Sequence, residues 1–337
     1  MYESYPASTK DFIGAALRAD LTATVYICAH YVPDRIRYLA RVLEGIERWP
    51  MARVDVVIVS NDFAIGEEAA IAIARANLSA RGGSLEVKIA HGLEHPYHLT
   101  WWHKRYIPEW HSKAVPARDY FVYIEDDIVI DGDNIRYFVD YLQKLAPHGL
   151  IPSFLRYEID ADGGRRSVDL VAQQALGKRN TRIIGDEVYV APHNPYWAGF
   201  IVDKAAADEY ALSASFDIDN SGRISSWGVR ERAAMGLTWE RIPRDLPSRY
   251  VIPLHDGRPV PGCQIWHCAD NYSSMPDTLF GRIPVDRVFL TDSLLWQLRR
   301  IFIPDNFLWH VQHGSLFSVI KAHYSRRWIQ FLQHIVR

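Results

Sequence analysis

Apolar and polar positions along this chain fall into blocks that read as strand, helix, strand, helix, strand. Residues 22–30 are β-branched and apolar and predict a first strand. A helix is expected from Pro33 and Asp34, with Ile36, Leu39, Ala40, Leu43 and Ile46 at helical spacing. Residues 54–62 predict a second strand with a polar tip. Residues 67–80 predict an alanine-rich helix closed by Gly82-Gly83, and residues 84–90 a third strand. This alternation implies βαβ units and a parallel sheet.

The stretch 120–130 departs from that rhythm. Residues 120–124 are aromatic and β-branched, as expected of a strand buried on both faces. Glu125, Asp126 and Asp127 follow directly, and Ile128, Val129 and Ile130 resume the apolar run. Three adjacent acids at the end of a buried strand repel one another and lose hydration unless a positive charge compensates. A hard divalent cation is one such charge. Ligands in open α/β folds bind just past the carboxyl end of a central strand. Beyond the acids, residues 134–145 predict a helix ended by Pro147 and Gly149, and residues 151–157 a strand. Residues 160–180 predict a polar excursion of the kind that carries specificity, and residues 205–212 another helix.

An apolar strand closed by Glu125-Asp126-Asp127 resembles the DxD-type motif of GT-A-fold, nucleotide-sugar-dependent glycosyltransferases. The resemblance covers roughly residues 20–275. It implies a Rossmann-like mixed α/β sheet flanked by helices, a nucleoside diphosphate sugar as donor, and Mn²⁺ or Mg²⁺ as cofactor. Asp127 would hold the metal, with Asp126 and Glu125 supporting it. Ala29, His30 and Tyr31, at the tip of the first strand, would cradle the base. Asp62 would bind base or ribose, or else cap a helix or turn. Lys104 and Arg105 would neutralise the diphosphate, unless their segment is a helix with Trp101, Trp102 and Tyr106 in the core. Trp197 would be a stacking platform for a sugar, with Gly199 in a small-residue turn beneath the donor; a core tryptophan beside a packing turn is the other reading. Trp227-Gly228 resembles the W-G-x-E-D element of inverting members, which makes Glu231 the general base. Arg230 departs from that pattern, standing where the family has an acid. His267 falls where a late metal-binding histidine is expected, with His255 in reserve.

Composition narrows the alternatives. The chain has 337 residues, is 48% hydrophobic and 23% charged, and carries a formal net charge of −2. Near-neutral charge argues against nucleic acid as a main partner. Three cysteines (Cys28, Cys263, Cys268) with no framework spacing imply reduced thiols and a cytoplasmic setting. Residues 1–20 are expected to form an N-terminal segment, of which residues 1–10 are polar and show no signal-peptide pattern. Residues 21–290 are expected to form the catalytic domain, with a nucleotide-binding half at 21–130 and an acceptor half at 131–290. Residues 291–337 are expected to form a basic, aromatic helical appendage. From residue 294 onward it carries Arg299, Arg300, Lys321, Arg326, Arg327 and Arg337 against one acid, Asp305. Such a segment suits peripheral contact with an anionic membrane and a glycan or lipid-linked glycan acceptor, or else packing on the domain or in a dimer. Three other readings stay open: a retaining, exostosin-like transferase, a nucleotidyltransferase, and a non-catalytic glycan-binding protein on the same fold.

Overall fold

The computed structural model describes residues 20–107, 118–275 and 277–290. The apolar blocks assemble into a five-stranded sheet. β1 (Thr22–Ala29), β2 (Arg53–Ser60), β3 (Ser84–Ile89) and β4 (Tyr120–Glu125) are parallel, in the order β4-β1-β2-β3. Strand Gly199–Asp203 closes the edge antiparallel to β4. The class is therefore the expected mixed α/β sheet flanked by helices.

The helices follow their apolar stripes. α1 (Ile36–Glu47) buries Leu39, Val42, Leu43 and Ile46, and it packs against α2 (Ala69–Ala80). Four successive residues of β4, Phe121, Val122, Tyr123 and Ile124, are wholly buried. Each apolar side chain removed from water there stabilises by about 1.5–3 kcal/mol. That burial anchors the strand whose end carries the acids.

A second sheet begins immediately after them. β5 (Ile128–Val129) pairs antiparallel with strand Gln264–His267, which runs parallel to strand Leu155–Ile159. The register sets His267 opposite Ile128 and Trp266 opposite Tyr157. His267 thus arrives beside Asp127, with Glu158 on the neighbouring strand. α1 is drawn close to β5 at Gly45, where a Cβ would stand 2.8 Å from the Ile130 carbonyl oxygen. Trp49 Nε1 donates to that same carbonyl at 2.8 Å. The C-terminal end of α1 is thereby fixed against the chain that follows the acids.

The structure differs from the sequence reading in two stretches. Residues 151–157 are not one strand. Ile151–Pro152 pairs with strand Tyr250–His255, and Leu155–Ile159 joins the sheet beside the acids, so the chain changes sheets at Ser153. Residues 160–180 are less irregular than expected. Asp160 accepts the Asp162 and Gly164 amides at 3.0 and 2.6 Å, which closes a turn, and strand Arg165–Ser167 folds back on Leu155–Ile159. The basic aromatic appendage at 291–337 and the segment 1–19 lie outside the described residues. Among the described residues no helix is long and apolar enough to cross a membrane.

Gly199 shows how tightly the β4 edge is built. A Cβ there would lie 2.5 Å from the Tyr123 carbonyl oxygen and 2.5 Å from the Trp197 ring. Gly199→Ala should destabilise the fold by about 3 kcal/mol, because backbone has to move. Gly66→Ala, where the nearest atom is 3.9 Å away, should change stability by under about 1 kcal/mol. Urea unfolding of the two variants checks this; equal stability of both would contradict the packing described.

Candidate functional site

Because β1, β2 and β4 are parallel, their carboxyl ends share one edge. His30 and Tyr31 follow β1, after the buried Ala29. Asn61 and Asp62 follow β2. Asn61 ties the two tips together: its Oδ1 accepts the Tyr31 amide at 2.7 Å and lies 3.0 Å from His30 Nδ1. Tyr31 OH donates to Glu68 at 2.6 Å. Asp62 uses a carboxylate oxygen to accept the Ala64 amide at 2.9 Å, so it serves the turn in which it stands.

The acids at the end of β4 divide their partners. Glu125 accepts from Tyr196 OH at 2.8 Å. Burial and the charge of Asp127 raise its pKa, against the pull of Arg230 and Tyr196. Asp126 and Asp127, each 7% exposed, converge on one guanidinium. Arg35 Nη2 lies 2.7 Å from Asp126 Oδ1 and 3.0 Å from Asp127 Oδ2. Burial and the Asp127 charge raise the pKa of Asp126 despite Arg35. Asp127 moves the other way. Burial acts to raise its pKa, but the His267 hydrogen bond and the Arg35 charge outweigh it.

His267 completes a relay. Its Nε2 stands 3.5 Å from Asp127 Oδ2, and its Nδ1 is 2.6 Å from Glu158 Oε1. Burial works against its charged form, yet the bonds to Asp127 and Glu158 push its pKa up to about 9. Glu158 has no exposed surface and also accepts the Asn271, Tyr272 and Ser273 amides at 2.9, 2.8 and 2.6 Å. Burial acts to raise its pKa, but the His267 hydrogen bond and the Ser273 amide outweigh it and hold the pKa below the usual glutamate value. Backbone strain gathers here too. Ala198 (φ 61°) and Asp270 (φ 49°) adopt left-handed conformations, and the Ala198 carbonyl accepts the Glu125 amide at 3.1 Å.

The Trp227-Gly228 segment reaches the acids through Tyr196. The Trp227 and Tyr196 rings stack with centroids 6.1 Å apart. The short helix Val229–Ala233 then presents Arg230 and Glu231. Glu231 folds back over Gly228, where a Cβ would sit 2.3 Å from its Oε2. Arg230 Nη2 is 3.2 Å from Glu231 Oε1. Burial opposes the Arg230 charge, but Glu125, Tyr196 and Glu231 raise its pKa. Arg230 therefore joins two acids where the motif would have supplied a third.

Two expected ligand contacts are spent on structure. Lys104 is buried and donates to the Ser215 carbonyl at 2.7 Å, with Nζ 3.6 Å from the Trp101 ring centroid. Burial drives its pKa well down. Its segment is a 3₁₀ helix, Pro96–Arg105, with Leu99 and Trp101 in the interior. Trp197 is 1% exposed and packs edge-on against Phe154 at 5.0 Å, so it is a core ring and offers no open stacking face. The small Gly199 makes room for that ring. His255 is exposed on its strand end, near Asp256 and away from the relay.

Sequence reasoning missed Arg35, Glu158, Asn61, Tyr196 and Arg156. Arg156 forms a buried pair with Asp169 at 2.7 Å and lies 4.7 Å from the Tyr196 ring, holding the phenol that serves Glu125. Arg35 had one available signal: a cation in the turn after the first strand of a parallel sheet.

Among the described residues no group of three or more His, Cys, Asp or Glu side chains is arranged to hold a metal. The pair Asp127 and His267 does suit a cation that draws its remaining ligands from phosphate and water. Glu158 occupies Nδ1, which leaves Nε2 as the nitrogen facing Asp127.

No protein-family model matches the sequence, and no curated protein matches it. The chain is similar in structure to GalNAc-T7 solved with UDP, GalNAc and Mn²⁺. The identity is 10% and the TM-score 0.42, over 74% of this chain and 44% of that one. The chain thus spans less than half the length of that protein. A likeness this distant carries no argument about chemistry, which rests on the residues described above.

Asp126 has a folded-state pKa above its unfolded value. Such an acid holds its proton more tightly when folded. The stability it lends is present at low pH and is lost as pH rises from the ordinary aspartate range toward neutrality. Between pH 4.5 and 7.5 the parent should therefore lose about 1–3 kcal/mol that Asp126→Asn does not lose. Urea unfolding in EDTA at both pH values measures the difference; parallel losses would contradict the assignment.

Proposed function

We propose that this chain is a metal-assisted glycosyltransferase that moves a sugar from a nucleoside diphosphate donor to a hydroxyl of a glycan acceptor. One observation carries the reading: the carboxylates closing β4 meet His267 and Arg35 at the carboxyl edge of a parallel sheet, with the charge of Arg230, paired to Glu231, acting on Glu125. Asp127 and His267 would hold Mn²⁺ or Mg²⁺, which when bound would supply Lewis-acid stabilisation of the departing diphosphate. Ala29, His30, Tyr31 and Asp62 line the edge for base and ribose. Asn61 fixes the first two tips relative to each other.

Glu231 takes the proton of the acceptor hydroxyl. That oxygen bonds to the anomeric carbon, and the bond from this carbon to the diphosphate oxygen breaks. Attack opposite the leaving group inverts the configuration. Arg230 holds the Glu231 carboxylate in place. Glu125, half-buried beside Tyr196, accepts a hydrogen bond from that phenol and adds to the charge that Arg230 faces. A lipid-linked acceptor reached through residues 294–337 belongs to the same proposal.

The first experiment is a donor-hydrolysis screen across UDP-, GDP- and TDP-sugars with and without Mn²⁺. Metal-dependent release of nucleoside diphosphate is expected with at least one donor. Asp127→Asn should abolish it. With acceptor present, Glu231→Gln should lower kcat by about 10²–10⁴-fold with donor KM little changed. Release of nucleoside monophosphate instead would assign the site to nucleotidyl transfer. No turnover and no nucleotide binding would leave a glycan-binding protein.

A further inference from the structure

Asp126 and Asp127 both terminate on Arg35, a side chain with little else to hold it. Arg35 stands in a 3₁₀ turn (Pro33–Arg35) just before α1, and its side chain is 35% exposed at the mouth of the acidic turn. Its contacts are the two carboxylates and the face of Tyr38, 5.5 Å from the ring centroid. The oxygen of Asp127 that it reaches, Oδ2 at 3.0 Å, is also the one facing His267 Nε2 at 3.5 Å. Guanidinium and metal would therefore draw on one carboxylate oxygen, and two positive charges a few ångströms apart repel strongly in a partly dry site.

We propose that Arg35 is an exchangeable counter-ion and an anion-binding residue. Without a cation it neutralises Asp126 and Asp127. When a divalent cation takes Asp127, Arg35 is released from that carboxylate and turns its guanidinium to the diphosphate. The inference rests on the assignment of Asp127 and His267 to a cation, made above. The side chain suits both partners, because a planar fork of N–H donors pairs equally with carboxylate and phosphate oxygens. A lysine would offer the charge without the fork. Partial exposure leaves the Arg35 head room to turn into solvent.

The test compares the parent with Arg35→Gln and Arg35→Lys, each confirmed folded by thermal melting. Mn²⁺ binding is read from the electron paramagnetic resonance signal of free Mn²⁺, without nucleotide. Binding of UDP, GDP and ADP is read by isothermal titration at saturating Mn²⁺. Arg35→Gln should bind Mn²⁺ about tenfold more tightly, since the carboxylates are no longer occupied nine-tenths of the time. It should bind the preferred nucleoside diphosphate about tenfold more weakly. Arg35→Lys, which keeps the charge, should stay within about threefold of the parent for Mn²⁺ and weaken for the diphosphate. Opposite signs for metal and nucleotide support the proposal, because a residue needed only for structure would weaken both. Mn²⁺ binding by the parent that is unchanged or weakened in Arg35→Gln overturns the proposal and leaves the transferase reading standing. Absence of Mn²⁺ binding in parent and variant alike overturns the cation assignment and this proposal with it.

Discussion

Three adjacent carboxylates at the inner end of a buried strand set the terms for everything around them. Ionised together in a poorly hydrated turn, they would oppose folding. The chain answers with positive and hydrogen-bonding groups from four separate segments. Arg35 comes from the turn before α1, His267 from the second sheet, Arg230 from the short helix after Gly228, and Tyr196 from the approach to the edge strand. The acids thus act as the point of convergence for loops that lie far apart in sequence. Asp127 answers to both Arg35 and His267, so its charge is shared and not locked into one bond.

The scaffold beneath this cluster is rigid by comparison. β4 is buried on both faces, Gly199 brings its neighbour to van der Waals limits, and Gly45 lets α1 press on the chain after the acids. Glu158 adds a second fixed point. It gathers three backbone amides and an imidazole around one carboxylate, which fixes both the loop after His267 and the nitrogen that His267 turns toward Asp127. A site of this kind combines a firm base with a mouth that is open to solvent at Arg35. That division suits a ligand that brings its own negative charge and completes the arrangement on arrival.

Residues rich in chemical possibility are not for that reason part of the chemistry. Lys104 and Trp197 stand in segments dense with aromatic and charged groups, and both end in the interior. Lys104 spends its amino group on a carbonyl inside a box of aromatic rings, and Trp197 fills space against Phe154. The less conspicuous Arg35 and Glu158 hold the centre. Burial decides between such candidates. A cation enclosed by rings is costly to leave unpaired and is recruited to structure, whereas one left partly in water stays free to exchange partners.

Local pattern was enough for the sheet, its parallel direction, the helices at α1 and α2, and the placing of Glu125, Asp126 and Asp127 at a strand end. Each of those features is written in neighbouring residues: period-two or near-four spacing of apolar side chains, and polar tips where strands stop. The division of residues 151–159 between two sheets was not written there, nor was the meeting of Asp127 with His267 or of both acids with Arg35. Those depend on the β5 register, on the close approach of α1 at Gly45, and on the shortage of water around a buried strand end. They are properties of segments that lie far apart along the chain, which no local spacing encodes.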